Sequence, residues 1–268
     1  MIYRILSKKR LFIVSLIYLI LGGICYLRIL INNQDITFFE STMLTSIENN
    51  TIGGIYLMII FPLMGTFLLS DIFLEDENLN LKYIWYTKCG LYKYHIKNII
   101  TIFITVFVIT FLCWGFNILL CYISFKNINV SYLSVFSDYK LESYEKYITH
   151  FDLLLKSPIK FFILKNIYIS LYGGLFAILS YLTSAFIKNK YILFIVPTII
   201  YNLIGLIVSV LGKPGFSLYN LLYPDFSVLI RNPNLINIYV IVLLVINTIL
   251  FSIFMKMERE YVNQSFFE

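Results

Sequence analysis

The chain has 268 residues, of which 59% are hydrophobic, 18% aromatic and 13% charged, and its mean hydropathy is +0.82. Soluble domains carry about a quarter charged residues, so the composition excludes an ordinary soluble protein, and the 24 Phe and 22 Tyr exclude a disordered or collagen-like chain. The formal charge of +6 would suggest nucleic acid as a partner of a soluble chain; here it has to be read by its position relative to the apolar runs.

A hydrocarbon core of about 30 Å takes about 20 mostly apolar residues in a helix. Six long runs free of Asp, Glu, Lys, Arg and His occur: Leu11–Leu27, Thr51–Ser70, Asn98–Phe125, Asn166–Ile187, Tyr191–Gly212 and Leu235–Met255. They are too long and continuous for barrel strands of alternating polarity, so six transmembrane helices in one domain are expected. The first run follows a basic leader, Arg4, Lys8, Lys9 and Arg10, but continues through Gly22-Gly23-Ile24-Cys25-Tyr26 without a small-residue cleavage site. It reads as a retained helix reaching to about residue 31, not as a cleaved signal. Pro62 and Pro197 fall inside the second and fifth runs, where a missing N–H and a ring clash predict kinks.

Between the second and third runs lies Asp71–Lys97. It opens with Asp71, Glu75, Asp76 and Glu77, continues with Leu81, Ile84 and Trp85 at helical spacing, and ends with Lys88, Gly90 and a basic stretch. Asn78 or Asn80 can cap a helix, the acids suit its N-terminus, Lys88 suits its C-terminus and Gly90 stops it. An amphipathic surface helix is predicted, which by itself could simply anchor on lipid. The segment Lys126–Lys165 joins the third and fourth runs, a length uncommon for an unstructured loop. Within it Tyr139–Leu155 has a helical period, with Tyr144, Tyr147, Ile148, Phe151, Leu154 and Leu155 interleaved with charges. The stretch Lys213–Asn234 before the last run is too apolar for a solvated loop.

Twelve of the 21 cations fall on one set of short segments, namely the N-terminus, Asp71–Lys97, the turn with Lys188 and Lys190, and the C-terminus; most of the other nine lie in Lys126–Lys165. The positive-inside rule therefore places both termini and Asp71–Lys97 in the cytoplasm.

The runs lack the ionisable residues from which proton relays, ion sites and voltage sensors are built. No G-x-x-x-x-G-K-[ST] phosphate loop occurs, so a pump of this kind draws its energy from a partner. The four cysteines, Cys25, Cys89, Cys113 and Cys121, have no metal-ligand spacing, and no serine or cysteine stands in a nucleophile elbow. No catalytic residue, metal site or resident cofactor is predicted. Uncharged polar residues inside the runs, Asn117, Thr198, Tyr201, Asn202 and Asn247, form either a weakly polar translocation surface or hydrogen-bonding glue between helices. The glycine pairs are read as close helix contacts.

Six spans, an acidic cluster after the second, an amphipathic helix with a basic turn, and Lys97 opening the third span resemble the permease subunits of ABC-2-type transporters. Glu75-Asp76-Glu77 stands where that family has an acidic element, and Thr87-Lys88 where it often has Thr-Pro. The resemblance implies an all-α polytopic membrane protein of a bacterial cell membrane. Its coupling helix, with Glu75, Asp76, Glu77, Leu81, Ile84, Trp85 and Lys88, would dock on a cytoplasmic ATP-binding subunit that carries ATP and Mg. It also implies a homodimer or a heterodimer with a similar permease, and short re-entrant outer helices in Lys213–Asn234. Small permeases of this kind serve export of, or immunity to, antimicrobial peptides, and an aromatic, uncharged helix set suits an amphipathic peptide or lipid substrate better than a charged solute. A non-transporting scaffold or sensor subunit is the alternative, and nucleic acid is not expected as a partner.

Overall fold

The computed structural model describes residues 9–32, 38–42, 59–125, 150–222 and 234–265. Regular structure among them is entirely helical. The helices are α1 Lys9–Asn32, α2 Phe38–Ser41, α3 Phe61–Leu69, α4 Ile72–Asn78, α5 Leu81–Cys89, α6 Leu91–Ser124, α7 Phe151–Lys156, α8 Pro158–Thr183, α9 Lys190–Val210, α10 Leu218–Leu222 and α11 Leu235–Ser265. Five of them, α1, α6, α8, α9 and α11, are long and apolar enough to cross a membrane, which makes this a multi-pass membrane chain. Of the second expected span, residues 51–58 lie outside the described residues. Its described part is α3, nine residues that cover about 14 Å at 1.5 Å per residue.

The bundle is built around α8, which packs against α3, α6, α9 and α11. The most apolar window of α8 is 72% buried against 22–28% in the other long helices, so α8 alone among them is enclosed by protein. Its sequence explains this position. Ser170, Gly173, Gly174, Ala177 and Ser180 keep the backbone narrow enough for neighbours to approach, while Tyr172, Phe176 and Tyr181 fill the space between them. A Cβ on Gly174 would stand 2.6 Å from the Phe103 ring of α6, and at the contact with α3 a Cβ on Gly65 would stand 3.3 Å from the carbonyl oxygen of Gly173, a backbone atom that cannot turn aside. The other four long helices turn Ile, Leu, Val and Phe outward along their length. In a membrane chain that belt is the surface solvated by lipid.

Helix limits differ from the charge-free runs. α6 starts at Leu91 and not at Asn98, because Lys93 and Lys97 remain exposed while His95 is buried with hydrogen-bond partners. α8 starts at Pro158 and not at Asn166, and so carries Lys165, whose buried ammonium donates to the Leu221 carbonyl at 2.6 Å. α11 runs to Ser265, well beyond Met255. In each case the helix outlasts its apolar stretch, since a charged side chain can snorkel or find a partner without breaking the backbone ladder. Pro62 sits in the first turn of α3, directly after Ile59 and Ile60, which wind as a wider π-helical turn at that point. Pro197 lies inside α9.

At the far end, α7 covers the close of the expected helix Tyr139–Leu155, whose residues 139–149 lie outside the described residues. A 3-10 turn at Pro214–Phe216 and the buried α10 occupy the first half of Lys213–Asn234, and residues 223–233 are likewise outside. None of the four cysteines forms a disulfide, and three of them are buried among helices.

The Gly65 contact is testable. Gly65→Leu forces a side chain against backbone that cannot yield and should cost about 1–3 kcal/mol by overpacking. Gly23→Leu, whose Cβ meets open space, should leave stability unchanged. Thermal unfolding of the two variants in detergent is the measurement.

Candidate functional site

The chain leaves the bundle at Ser70 and returns at Leu91, and two unusual backbone positions shape what lies between. Asn80 has φ +54° and Gly90 has φ +80°, left-handed values tolerated by Asn and open to Gly. Asn80 separates α4 from α5, and Gly90 ends α5 and turns the chain into α6. Glu75, Asp76 and Glu77 therefore occupy their own short helix instead of the first turn of α5, and Asn80 holds the cap position without a side-chain cap bond.

α5 lies against the bundle by the side that looks polar in sequence. Lys82 and Tyr86, one turn apart, point inward. Lys82 is only 1% exposed. Its ammonium is 2.9 Å from Glu77 Oε1 and 3.9 Å from Glu258 Oε2, and 4.4 Å from the centre of the Tyr261 ring. The Tyr86 hydroxyl donates to Glu258 Oε2 at 2.8 Å and lies 3.1 Å from His95 Nε2. His95 Nδ1 is 2.8 Å from the Tyr181 hydroxyl, which also accepts from Asn98 Nδ2 at 3.2 Å. Since Tyr86 spends its one proton on Glu258, a neutral His95 must donate from Nε2 and accept at Nδ1 from Tyr181. Every contact is then satisfied in one direction, from Asn98 through Tyr181, His95 and Tyr86 to Glu258. Phe254 stands edge-on to the imidazole at 4.7 Å, and Phe73 closes the other side at 5.7 Å. Beside this chain the Tyr94 hydroxyl donates to the buried Asp76 at 2.6 Å.

An outer set of charges ties the same segment to the remaining helices. Arg10 reaches Asp71 at 2.6 Å and Glu75 at 3.5 Å, with its guanidinium over the rings of Phe67 and Phe194. Lys188, in the turn between α8 and α9, reaches the second oxygen of Glu77 at 2.6 Å. α1, α6 and α11 are thereby fastened to α4 and α5 at one end of the bundle, with α8 joined through His95 and the turn before α9 through Lys188. Burial opposes ionisation of Glu77, but hydrogen bonds from Lys188 and Lys82 outweigh it and hold the carboxyl below its ordinary range. Burial, with the Glu258 carboxylate beside it, pushes the Tyr86 phenol well above its usual value, so it serves as a donor throughout the physiological range.

The residues expected from sequence separate into three groups. Asp76 is buried, and Glu75 and Glu77 are partly buried; they are engaged inside the segment. Ile84, 48% exposed, and the exposed Lys88 face outward with the partly exposed Leu81 and Trp85 beside them. The five span residues are dispersed. Asn117 donates to the Gly22 carbonyl of α1, Asn247 to the Leu175 carbonyl of α8 and Asn202 to Thr198 of its own helix, while the Tyr201 ring packs edge-on against Phe176. Asn117 and Asn247 thus act as glue between helices.

Lys82, Tyr86, His95, Tyr181 and Glu258 are absent from the sequence reading. Lys82 and Tyr86 could have been found as an i, i+4 pair on the stripe opposite Leu81, Ile84 and Trp85; nothing in the sequence links them to Glu258. Among the described residues no cluster of three or more His, Cys, Asp or Glu is placed to hold a metal ion. Comparison of the chain with protein-family models, with curated proteins and with solved structures gives no match.

Because the folded-state pKa of Glu77 is depressed, its stabilising contribution is present above the unfolded carboxylate range and lost as pH falls through the folded value. Wild type should therefore exceed Glu77→Gln in unfolding temperature at pH 7, and the two should converge below the ordinary value of about 4.3. A pH series of melting curves checks this.

Proposed function

We propose that the chain is the permease subunit of an ABC-2-type transporter, with six transmembrane helices and with α5 as the cytoplasmic coupling helix. A separate ATP-binding subunit, which carries ATP and Mg, docks on the outward face of α5. The observation that carries this reading is the inverted attachment of α5: Lys82 and Tyr86 of its polar stripe are bolted to the bundle, while Ile84 and Lys88 are exposed, Leu81 is partly exposed and Trp85 packs partly against the core. A helix serving only to anchor on lipid could attach loosely. This one, with α4, is joined through ion pairs and buried hydrogen bonds to α1, α6 and α11 and through His95 to α8, which is what transmission of a push requires.

In this reading Glu75, Asp76 and Glu77 transmit instead of touching the partner. Displacement of α5 moves Lys82 and Tyr86, and through Glu258 and His95 it moves α11, α6 and α8 together. Two such permeases, identical or merely similar, form the pathway in a bacterial plasma membrane. The substrate is an amphipathic peptide or lipid, since the long helices present apolar and aromatic surface that cannot replace the hydration of a charged solute. Thr198, Tyr201 and Asn202, on α9, are the candidates for a weakly polar stretch of that pathway.

Two kinds of variant separate docking from transmission. Ile84→Asp should fold normally, because its side chain lies on the outer face, yet lose association with the co-expressed ATP-binding subunit on affinity purification. Tyr86→Phe should retain association but leave Glu258 and His95 short of a partner, at a cost of about 1–3 kcal/mol, and should weaken the coupling of ATP hydrolysis to peptide resistance in cells. Normal assembly and turnover in the first variant would remove α5 as the docking surface.

A further inference from the structure

A groove of about 250 Å³ runs between α6, α8 and α11 at the level where the spans approach the charged end. Ile96 and Ile100 of α6, Leu175 and Leu182 of α8, and Leu244 and Phe251 of α11 form its wall. Asn247 also borders it, but its amide is turned onto the Leu175 carbonyl at 3.3 Å, leaving the wall apolar. Toward the charged end the Tyr92 ring meets Phe251 at 5.8 Å and closes the groove. Its three walls are membrane-spanning helices, so it opens sideways into hydrocarbon.

The cations around that closed end differ from those of the helix clamp. Arg10, Lys82 and Lys188 all have carboxylate partners. Lys93, Lys97 and Lys256 are exposed and make no ion pair among the described residues. Lys93 and Lys97 precede the groove residues Ile96 and Ile100 by three positions each, which puts them on the same face of α6, one turn nearer the charged end. Lys256, about two and a half turns beyond the groove residue Asn247, lies on the opposite side of α11 and is not part of this set. Exposed Arg259 and Glu260 on the same helix offset one another. An apolar slot open to the bilayer, stopped by an aromatic pair and crowned by the two unpaired ammonium groups of Lys93 and Lys97, matches one ligand chemistry, a fatty acyl chain continued by an anionic phosphodiester.

We propose that this groove binds one anionic phospholipid, with an acyl chain along Ile96, Ile100, Leu175 and Leu244 and the headgroup phosphate at Lys93 and Lys97. The site is independent of the permease reading, and it would stand in any membrane protein with this fold. A lipid seated there touches Phe251, one turn from Phe254, which packs on His95, so the lipid abuts the same stripe of α11 that carries the clamp.

The test uses the full chain in a mild detergent, offered either a palmitoyl-oleoyl phosphatidylglycerol or the phosphatidylcholine with the same chains, with bound lipid counted by native mass spectrometry. One phosphatidylglycerol per chain should be retained in preference to phosphatidylcholine. Each of Lys93→Gln and Lys97→Gln should weaken its retention about fivefold, the value of roughly one surface cation near an anionic lipid. Together they should bring the two lipids level. Leu244→Trp, which fills the groove, should abolish retention of the anionic lipid; Ile178→Trp does the same from α8 should the first variant fail to fold. Equal retention of both lipids by the unaltered chain, or anionic lipid retained undiminished by the filled groove, overturns the proposal. So does a dimer that Leu244→Trp dissociates while phosphatidylglycerol binding is unchanged, because the occupant would then be a second copy of the chain.

Discussion

Lys82 is an ammonium group withdrawn almost wholly from water. Removing a charge from solvent costs several kcal/mol, which is recovered only if opposite charge and hydrogen bonds are already in place. Glu77 on one side and Glu258 on the other supply them, the first from α4 and the second from the end of α11. The position of α5 therefore depends on elements more than 170 residues apart in the chain being held at a fixed distance, and a shift of either leaves a buried charge exposed to its own desolvation penalty. The rest of the charged end follows from that requirement. Glu77 is shared with Lys188, and Glu258 with Tyr86, so neither carboxylate is left with a single partner.

The hydrogen-bond chain from Asn98 to Glu258 extends the same constraint into the bundle. Its members lie on α6, α8, α5 and α11, and the one proton arrangement that satisfies them gives it a direction. Such a network, enclosed by Phe73 and Phe254, is rigid when complete and costly when one member is removed. The apolar bundle is fixed by separate contacts instead of a network. Its helices meet through small residues, dispersion contacts and single interhelical hydrogen bonds such as Asn117 to Gly22, Asn166 to Phe111 and Thr66 to Phe194, and lipid tails compete with the dispersion contacts on equal terms. Register between the helices is thus decided largely at the charged end, and around α8, whose glycines admit neighbours at distances that a larger residue would forbid.

The two faces of α5 have opposite fates for the same reason. Alternation of apolar and polar residues ordinarily predicts which side of a surface helix is buried. Here Ile84 faces outward, Leu81 and Trp85 are only partly covered, and the stripe of Lys82 and Tyr86 is enclosed, because the bundle offers carboxylates and an imidazole at that spot. Amphipathicity told that α5 has two sides. It could not tell which side has a partner within the chain, since the partner arrives from α11.

Composition and run length alone determined that this chain is a helical membrane protein, because a backbone in hydrocarbon has to satisfy its own hydrogen bonds and few charge-free runs of that length serve any other purpose. The same local rules located α5 and its stop at Gly90, and marked the stretch after Lys213 as too apolar for a solvated loop. They misjudged the ends of α6, α8 and α11, since the search for charge-free residues stops where the first Lys or His appears, whereas a helix continues as long as that side chain finds solvent or a partner. Which polar residues are joined was decided only by tertiary structure. Lys82 finding Glu258, His95 finding Tyr181, and Lys165 finding the Leu221 carbonyl are long-range encounters. Their energy depends on distance and desolvation, and a one-dimensional pattern records neither.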